Sequence, residues 1–141
     1  VSVIAEAASA GMGQGVEDSA MAIMTMASGI QVLSHVSFGH AFGKTGIEVQ
    51  GTKGAIYGTG VIAQTPAGDV HLVTADGEQE ITFPRHDLYE QVLKEFHAAV
   101  NGQPHQGATG EDGLKSLAVA LAVRKAASTG QRQILNYGVS Q

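Results

Sequence analysis

The placement of glycine most limits how this chain can fold. Of its 141 residues 19 are glycine, and most of them precede position 78, where they separate short apolar segments at a spacing typical of β-hairpins. Residues 30–38 alternate as a strand does, with Ile30 and Val32 on one face and Leu33 and His35 on the other. Further strands are predicted over residues 46–50, 54–57, 61–65, 70–74 and 79–83.

The hydrophobic period changes after Pro84. Leu88, Val92, Phe96 and Val100 recur every fourth residue, which predicts a helix with an apolar stripe. Its expected N-cap is Asp87 and its expected stop is Gly102.

A second helix is predicted over residues 110–128, with Thr109 as its cap and Gly130 as its terminator. Leu114, Leu117 and Leu121 lie on one side of it, and most remaining positions are Ala or Val. The helix is thus apolar nearly all round, and we expect it to be well buried. Residues 134–135 are expected to form a last short strand or a docked tail.

Strands grouped first and helices grouped last indicate the α+β class. The predicted architecture is one domain over residues 1–141, an open, predominantly antiparallel sheet with two C-terminal helices covering one face. Residues 19–27 are apolar at both alternations, as in a strand covered on both sides. Two helices cannot cover both faces, so we expect another subunit on the exposed sheet face, giving a homo-oligomer.

Composition excludes several partners. The chain has 13 acidic and 8 basic residues, a formal charge of -5, and its basic residues are scattered, whereas nucleic acid binding needs clustered Lys and Arg. No apolar run approaches the length that spans a bilayer, so no membrane partner is expected. The absence of cysteine excludes disulfides and is consistent with a cytoplasmic location. Because residue 1 is Val, the chain is expected to be part of a longer or processed protein.

Two glycine-rich segments superficially resemble nucleotide-binding loops. Residues 11–15 do not match the Gly-x-Gly-x-x-Gly pattern of a dinucleotide finger, and Glu17 and Asp18 would bring negative charge beside a pyrophosphate. Residues 51–54 lack the order of residues found in a phosphate loop. Turns between strands are the preferred interpretation of both segments.

The six histidines show no metal-ligand spacing, and no carboxylates cluster around them. No serine occupies a nucleophile elbow. We therefore predict no metal site and no catalytic residue in this chain. His35 and His40 flank the glycine-rich loop over residues 39–44, where polar side chains could converge on a small ligand, although a purely structural histidine is the commoner case.

Four segments, in this order, resemble the C-terminal domain of the Gfo/Idh/MocA oxidoreductases, the family of glucose-fructose oxidoreductase and inositol dehydrogenase. The resemblance covers roughly residues 1–135. The segments are Ala27-Ser28-Gly29-Ile30 with its following strand, residues 47–56, the helix containing Tyr89, Glu95-Phe96 and Val100-Asn101-Gly102, and residues 110–130.

This resemblance implies a two-domain enzyme, with NAD or NADP held by an N-terminal Rossmann domain. The C-terminal domain forms part of a sugar or polyol pocket, and its exposed sheet face commonly makes the oligomer interface. The family's nucleotide finger, Glu-Lys-Pro segment and Asp-x-x-x-His motif have no counterpart here. No cofactor is therefore expected in this chain, and the fragment alone is predicted to be inactive.

Substrate contact is expected from the loop over residues 39–44, with His40 and Lys44 as hydrogen-bond donors and His35 as a weaker candidate. The leading hypothesis is the substrate-binding and assembly domain of an NAD(P)-dependent oxidoreductase. The alternative is a stand-alone, non-catalytic ligand-binding or dimerisation module of the same fold.

Overall fold

The computed structural model describes residues 1–9, 11–12, 15–63, 66–135 and 137. Its elements confirm the α+β class and the antiparallel pairing of the strands. In chain order they are β1 (Ser2–Ala8), β2 (Ser19–Thr25), β3 (Gln31–Ser37), β4 (Gly46–Gln50), β5 (Gly54–Thr59), β6 (Asp69–Thr74), β7 (Gly77–Glu80), α1 (Leu88–Val100), α2 (Gly110–Thr129) and β8 (Gln133–Ile134).

The chain divides into two compact units. The first unit consists of Val1–Ala41 and Ala108–Gln141, and the second of Phe42–Gly107. Each unit contains a four-stranded antiparallel sheet and one helix, so the strands are divided between two sheets. The prediction of a single domain over residues 1–141 stays a prediction.

The first sheet has the strand order β3-β2-β1-β8, and α2 packs against β1. Small and β-branched side chains point from the strands to the helix, because alternate residues of a strand share a face. The backbone N–H of Leu135, just after β8, donates to the carbonyl of Val1, just before β1, over 2.8 Å. The buried core consists of Val3, Ala5, Ala22, Ala126 and Leu135.

Helix α2 uses only one of its two apolar faces. Val119, Val123 and Ala127 pack against the core, whereas Leu114, Leu117 and Leu121 are about half exposed. At 3.6 residues per turn these two rows lie on opposite sides of the helix. The prediction that α2 is well buried is therefore wrong, since a single sheet covers a single side of it.

The outer face of the first sheet carries a cross-strand row of large apolar residues. Ile4 pairs with Ile23, and Ile23 pairs with Leu33. All three side chains are exposed, Leu33 at 79%. The two alternations of β2 thus differ: Ala22 faces α2 and is buried, while Met21 and Ile23 lie on the exposed side.

The second sheet has the order β4-β5-β6-β7 and two unlike faces. The register aligns Val49 with Ile56 and Ile56 with Leu72 on the apolar face. The opposite face carries a polar row, in which Glu48 pairs with Tyr57, Tyr57 with His71 and His71 with Glu80.

The predicted ends of both helices are confirmed. The Asp87 carboxylate accepts from the backbone N–H groups of Tyr89 and Glu90, and Gly102 has a φ of +66°. Thr109 and Asp112 form a capping box at the start of α2, and Gly130 ends it in the left-handed region. None of the residues of α1 is buried, so its apolar stripe is exposed.

The predicted strand over residues 61–65 is wrong where the structure describes it. Residues 61–63 form no strand, and Gln64 and Thr65 lie outside the described residues. β5 pairs directly with β6, so the segment between them only connects the two strands. Gly60, at a φ of +70°, turns the backbone out of the sheet immediately after Thr59.

Candidate functional site

The structure brings two of the three predicted site residues together. His35 lies on β3, on the outer face of the first sheet, and His40 lies three residues beyond the end of that strand. Their ring centroids are 5.3 Å apart and the rings are inclined by 57°. Both side chains are exposed. Two neighbouring imidazoles can donate or accept hydrogen bonds, depending on their tautomers.

The remainder of the predicted loop belongs to the second unit. Ala41 ends the first segment of the first unit, and the second unit begins at Phe42. Lys44 is in that unit and its side chain is exposed. Two phenyl rings flank His40 in the sequence and are almost fully exposed, Phe38 at 84% and Phe42 at 101%.

A buried carboxylate lies beside the start of this loop. Asp18 is only 6% exposed, and its Oδ2 accepts hydrogen bonds from the backbone N–H groups of Gly11 and Met12, each over 2.7 Å. Its backbone carbonyl accepts from the N–H of Phe38 over 2.9 Å. Sequence reasoning missed this residue, although an acidic residue between a glycine-rich segment and an apolar strand is an available acceptor for exposed backbone N–H groups.

Both glycine-rich segments connect antiparallel strands. Residues 11–15 lie between β1 and β2, with Gly13 and Gln14 outside the described residues. Gly51 and Gly54 close the hairpin between β4 and β5, with a 2.9 Å bond from the N–H of Gly51 to the carbonyl of Gly54. A dinucleotide cradle needs a strand followed by a helix, so neither segment has that geometry.

Two grooves lie away from the predicted loop. A groove of about 630 Å³ lies along the hairpin between β4 and β5, where Gln50, Lys53, Tyr57 and Thr74 provide polar groups. A smaller groove of about 260 Å³ lies between the first sheet and α2, and alanine supplies half of its lining residues.

Several titratable groups away from this loop have structural partners. His71 Nδ1 lies 2.9 Å from a Glu78 carboxylate oxygen on the neighbouring strand. Hydrogen bonds from the Gln106 backbone and the Gln91 side chain lower the pKa of Glu95. The Thr109 hydroxyl and backbone N–H lower the pKa of Asp112 in the same way.

Over the described ranges, no three His, Asp or Glu side chains lie close enough to hold a metal ion. Among the same residues, neither helix is long and apolar enough to cross a bilayer.

The antiparallel strands and the two helices form an α+β fold. Exposed polar side chains lie on β3 and in the loop that follows it, and these are the candidate ligand contacts. The sequence model for the C-terminal alpha/beta domain of the Gfo/Idh/MocA oxidoreductase family matches residues 1–135. The chain therefore belongs to the Gfo/Idh/MocA oxidoreductase family, and the resemblance seen in its motifs is confirmed.

A relative of known activity is 45% identical over 132 residues. It is the 1,5-anhydro-D-fructose reductase of Ensifer adhaerens, and the match covers 93% of this chain and 40% of that enzyme. The chain thus spans less than half of the length of this relative.

Solved structures share the fold at low sequence identity. The aldose-aldose oxidoreductase from Caulobacter crescentus, complexed with glycerol, superposes with a TM-score of 0.82 at 18% identity, over 96% of this chain and 41% of its own. An oxidoreductase from Agrobacterium radiobacter, in complex with NAD+, L-tartaric acid and magnesium, gives a TM-score of 0.69 at 16% identity, over 94% and 42% respectively.

Proposed function

We propose that this chain is the substrate-binding and assembly domain of an NAD(P)-dependent oxidoreductase that acts on a sugar or a related polyhydroxylated molecule. The observation that carries the proposal is the 45% identity to a 1,5-anhydro-D-fructose reductase across 93% of the chain. The glycerol and L-tartaric acid bound by two structural neighbours are both small hydroxylated molecules.

The cofactor belongs to another part of the protein in this proposal. Hydride transfer requires a nicotinamide held close to the reacting carbon of the substrate. The two glycine-rich segments of this chain join antiparallel strands, so they do not fit a dinucleotide. NAD or NADP would be bound outside these residues, and the chain by itself would be inactive.

The substrate contacts in this proposal are His40 and Lys44, with His35 beside His40. All three are exposed polar side chains at or beyond the end of β3, and imidazole and ammonium groups donate hydrogen bonds to hydroxyl and carbonyl oxygens. Their part is to bind and orient the substrate, since such positioning lowers the barrier without the residue itself reacting.

Steady-state kinetics of the complete enzyme test this assignment. We expect reduction of 1,5-anhydro-D-fructose by a reduced nicotinamide cofactor, and we expect His40→Ala and Lys44→Ala each to raise KM about tenfold, since loss of one hydrogen bond to a bound substrate has about that effect. His86→Ala and Lys125→Ala are matched controls at exposed positions. Unchanged KM values in both site variants would remove the assignment.

The assembly part of the proposal rests on the outer face of the first sheet. Ile4, Ile23 and Leu33 form an exposed apolar row, and rows of this kind commonly mark interfaces. A second copy of the protein is the proposed cover. In light scattering of the complete enzyme, Leu33→Glu should lower the molar mass to that of a smaller assembly, whereas Ile62→Glu, at an exposed position in a loop, should not. An unchanged mass for Leu33→Glu would exclude this face.

A further inference from the structure

Within the described residues, Asp18 is the one buried charged side chain. Burying a carboxylate is unfavourable unless hydrogen bonds compensate it, and here two backbone N–H groups at 2.7 Å do so. Bonds to an ionised acceptor at this distance are among the stronger hydrogen bonds in proteins. The arrangement fixes the backbone of Gly11 and Met12 to Asp18, the residue immediately before β2.

The same residue holds the start of the loop that contains His40. The Asp18 carbonyl accepts from the N–H of Phe38, two residues before His40. The side chain and the main chain of Asp18 thus restrain two different segments of the first unit.

The two restrained segments also touch each other. A Cβ placed on Gly11 would lie 3.3 Å from Asp18 Oδ2 and 3.4 Å from the Cα of Gly39. The first distance is slightly tighter than usual and the second is ordinary van der Waals contact, so Gly11 and Gly39 lie side by side with little free space between them. The N–H of Gly39 is held in turn by the Ser37 hydroxyl over 3.1 Å. The N–H groups of Phe38 and Gly39 are therefore both held before the chain reaches His40.

We propose that Asp18 is a positioning residue, which holds residues 38–40 so that His40 is presented to the substrate. This inference rests on the proposed substrate role of His40. Asp18 does not touch the substrate itself. Its carboxylate acts through the backbone of Gly11 and Met12, and Gly11 lies against Gly39. Loss of the carboxylate would let these segments move apart and residues 38–40 sample other positions. Misplacing a contact group by about 1 Å can lower catalytic efficiency by up to about 100-fold.

Hydrogen exchange of the complete enzyme tests the positioning directly. Asp18→Ala removes the side-chain bonds to Gly11 and Met12 but keeps the main-chain bond to Phe38. It should therefore increase amide exchange most in segment 11–12, and also in segment 37–41, where Gly39 lies against Gly11. Asp18→Asn keeps one carbonyl oxygen that can accept from the same N–H groups, so it should show a smaller increase. Glu17→Gln, a neighbouring exposed carboxylate, should leave the exchange unchanged. If exchange over 37–41 does not respond to Asp18→Ala, the inference is overturned.

Kinetics with 1,5-anhydro-D-fructose separate positioning from general stability. We expect Asp18→Ala to raise KM about tenfold, as His40→Ala does, with partial rescue in Asp18→Asn and no additional effect of Asp18→Ala in a His40→Ala background. A merely structural role would lower the melting temperature and the active fraction at an unchanged KM, and that result would overturn the inference. If His40→Ala itself leaves KM unchanged, the substrate role of the loop fails, and with it the positioning role of Asp18, whatever the exchange shows.

Discussion

The two compact units are held together by different means. In the first, a helix packs on a sheet, and it contains every buried hydrophobic side chain of the described residues. In the second, the apolar residues of the sheet and of α1 stay partly or largely exposed, while ladder hydrogen bonds and close glycine contacts fix the strands. Side-chain packing therefore determines the first unit, and backbone geometry determines the second.

The strongest test of this difference is a glycine in the second unit. Gly68 has a φ of +94°, and a Cβ there would lie 2.5 Å from the carbonyl oxygen of Thr59. Gly68→Ala should lower the free energy of unfolding by about 3 kcal/mol, because left-handed strain and a backbone clash add together. Urea denaturation of the complete protein measures the loss.

Gly77→Ala is the matched control for Gly68→Ala. Gly77 has a φ of +123° but its Cβ would meet nothing within 4 Å. Backbone strain alone, without a clash, should lower the free energy of unfolding of Gly77→Ala by about 1 kcal/mol. Equal losses in the two variants would contradict the clash at Gly68 and weaken the view that close backbone contacts hold the second unit.

A pair of valines provides the next largest effect. Val3 is fully buried in the first unit, whereas Val49 is 56% exposed on the apolar face of the second sheet. Val3→Ala should lower the free energy of unfolding by about 2 kcal/mol, since it leaves a cavity. Val49→Ala should change the free energy of unfolding by no more than about 0.5 kcal/mol. If thermal and urea unfolding show similar losses for both, the second unit has a covered core and the comparison fails.

The smallest effects concern two carboxylates, one in each unit. Asp112 in the first and Glu95 in the second have lowered pKa values because hydrogen-bond donors favour their ionised forms. The ordinary pKa values are 3.8 for Asp112 and 4.5 for Glu95. Because each pKa is lower in the folded state, each carboxylate stabilises the fold at a pH above its ordinary pKa, and this contribution is lost as the pH falls through the folded-state pKa.

Melting temperatures between pH 6 and pH 2.5 measure this acid dependence. Asp112→Asn and Glu95→Gln should each lower the melting temperature slightly near neutral pH. Each should also make the melting temperature fall less steeply as the pH is lowered, which is the acid limb of the curve. Glu90→Gln, in an exposed i,i+4 ion pair, is the control and should change the limb least. An acid limb of unchanged slope in both variants would show that these hydrogen bonds do not persist in solution.

Local features of the fold were predictable from the sequence. The caps Asp87 and Thr109 and the terminator Gly130 act within one turn of the helix, so neighbouring residues suffice to identify them. The antiparallel strands follow from alternation and glycine spacing for the same reason.

Features that depend on distant partners were not predictable. Leu117 and Val119 are both apolar, and only the position of β1 decides which face of α2 is buried. Val61 is β-branched, as many strand residues are. Because β5 pairs directly with β6, no strand containing Val61 lies between them. The loop of His40 could be nominated from composition, but its restraint by Asp18 depends on bonds that connect separate segments.

The doubly apolar helix α2 also bears on how the domain can be handled by itself. Its leucine row, Leu114, Leu117 and Leu121, contributes nothing to the buried core, so polar replacements there would sacrifice little internal packing. Such replacements would reduce the exposed apolar surface area, which favours solubility. A version with glutamate or lysine at these three sites is therefore a rational starting point for obtaining the isolated domain at high concentration.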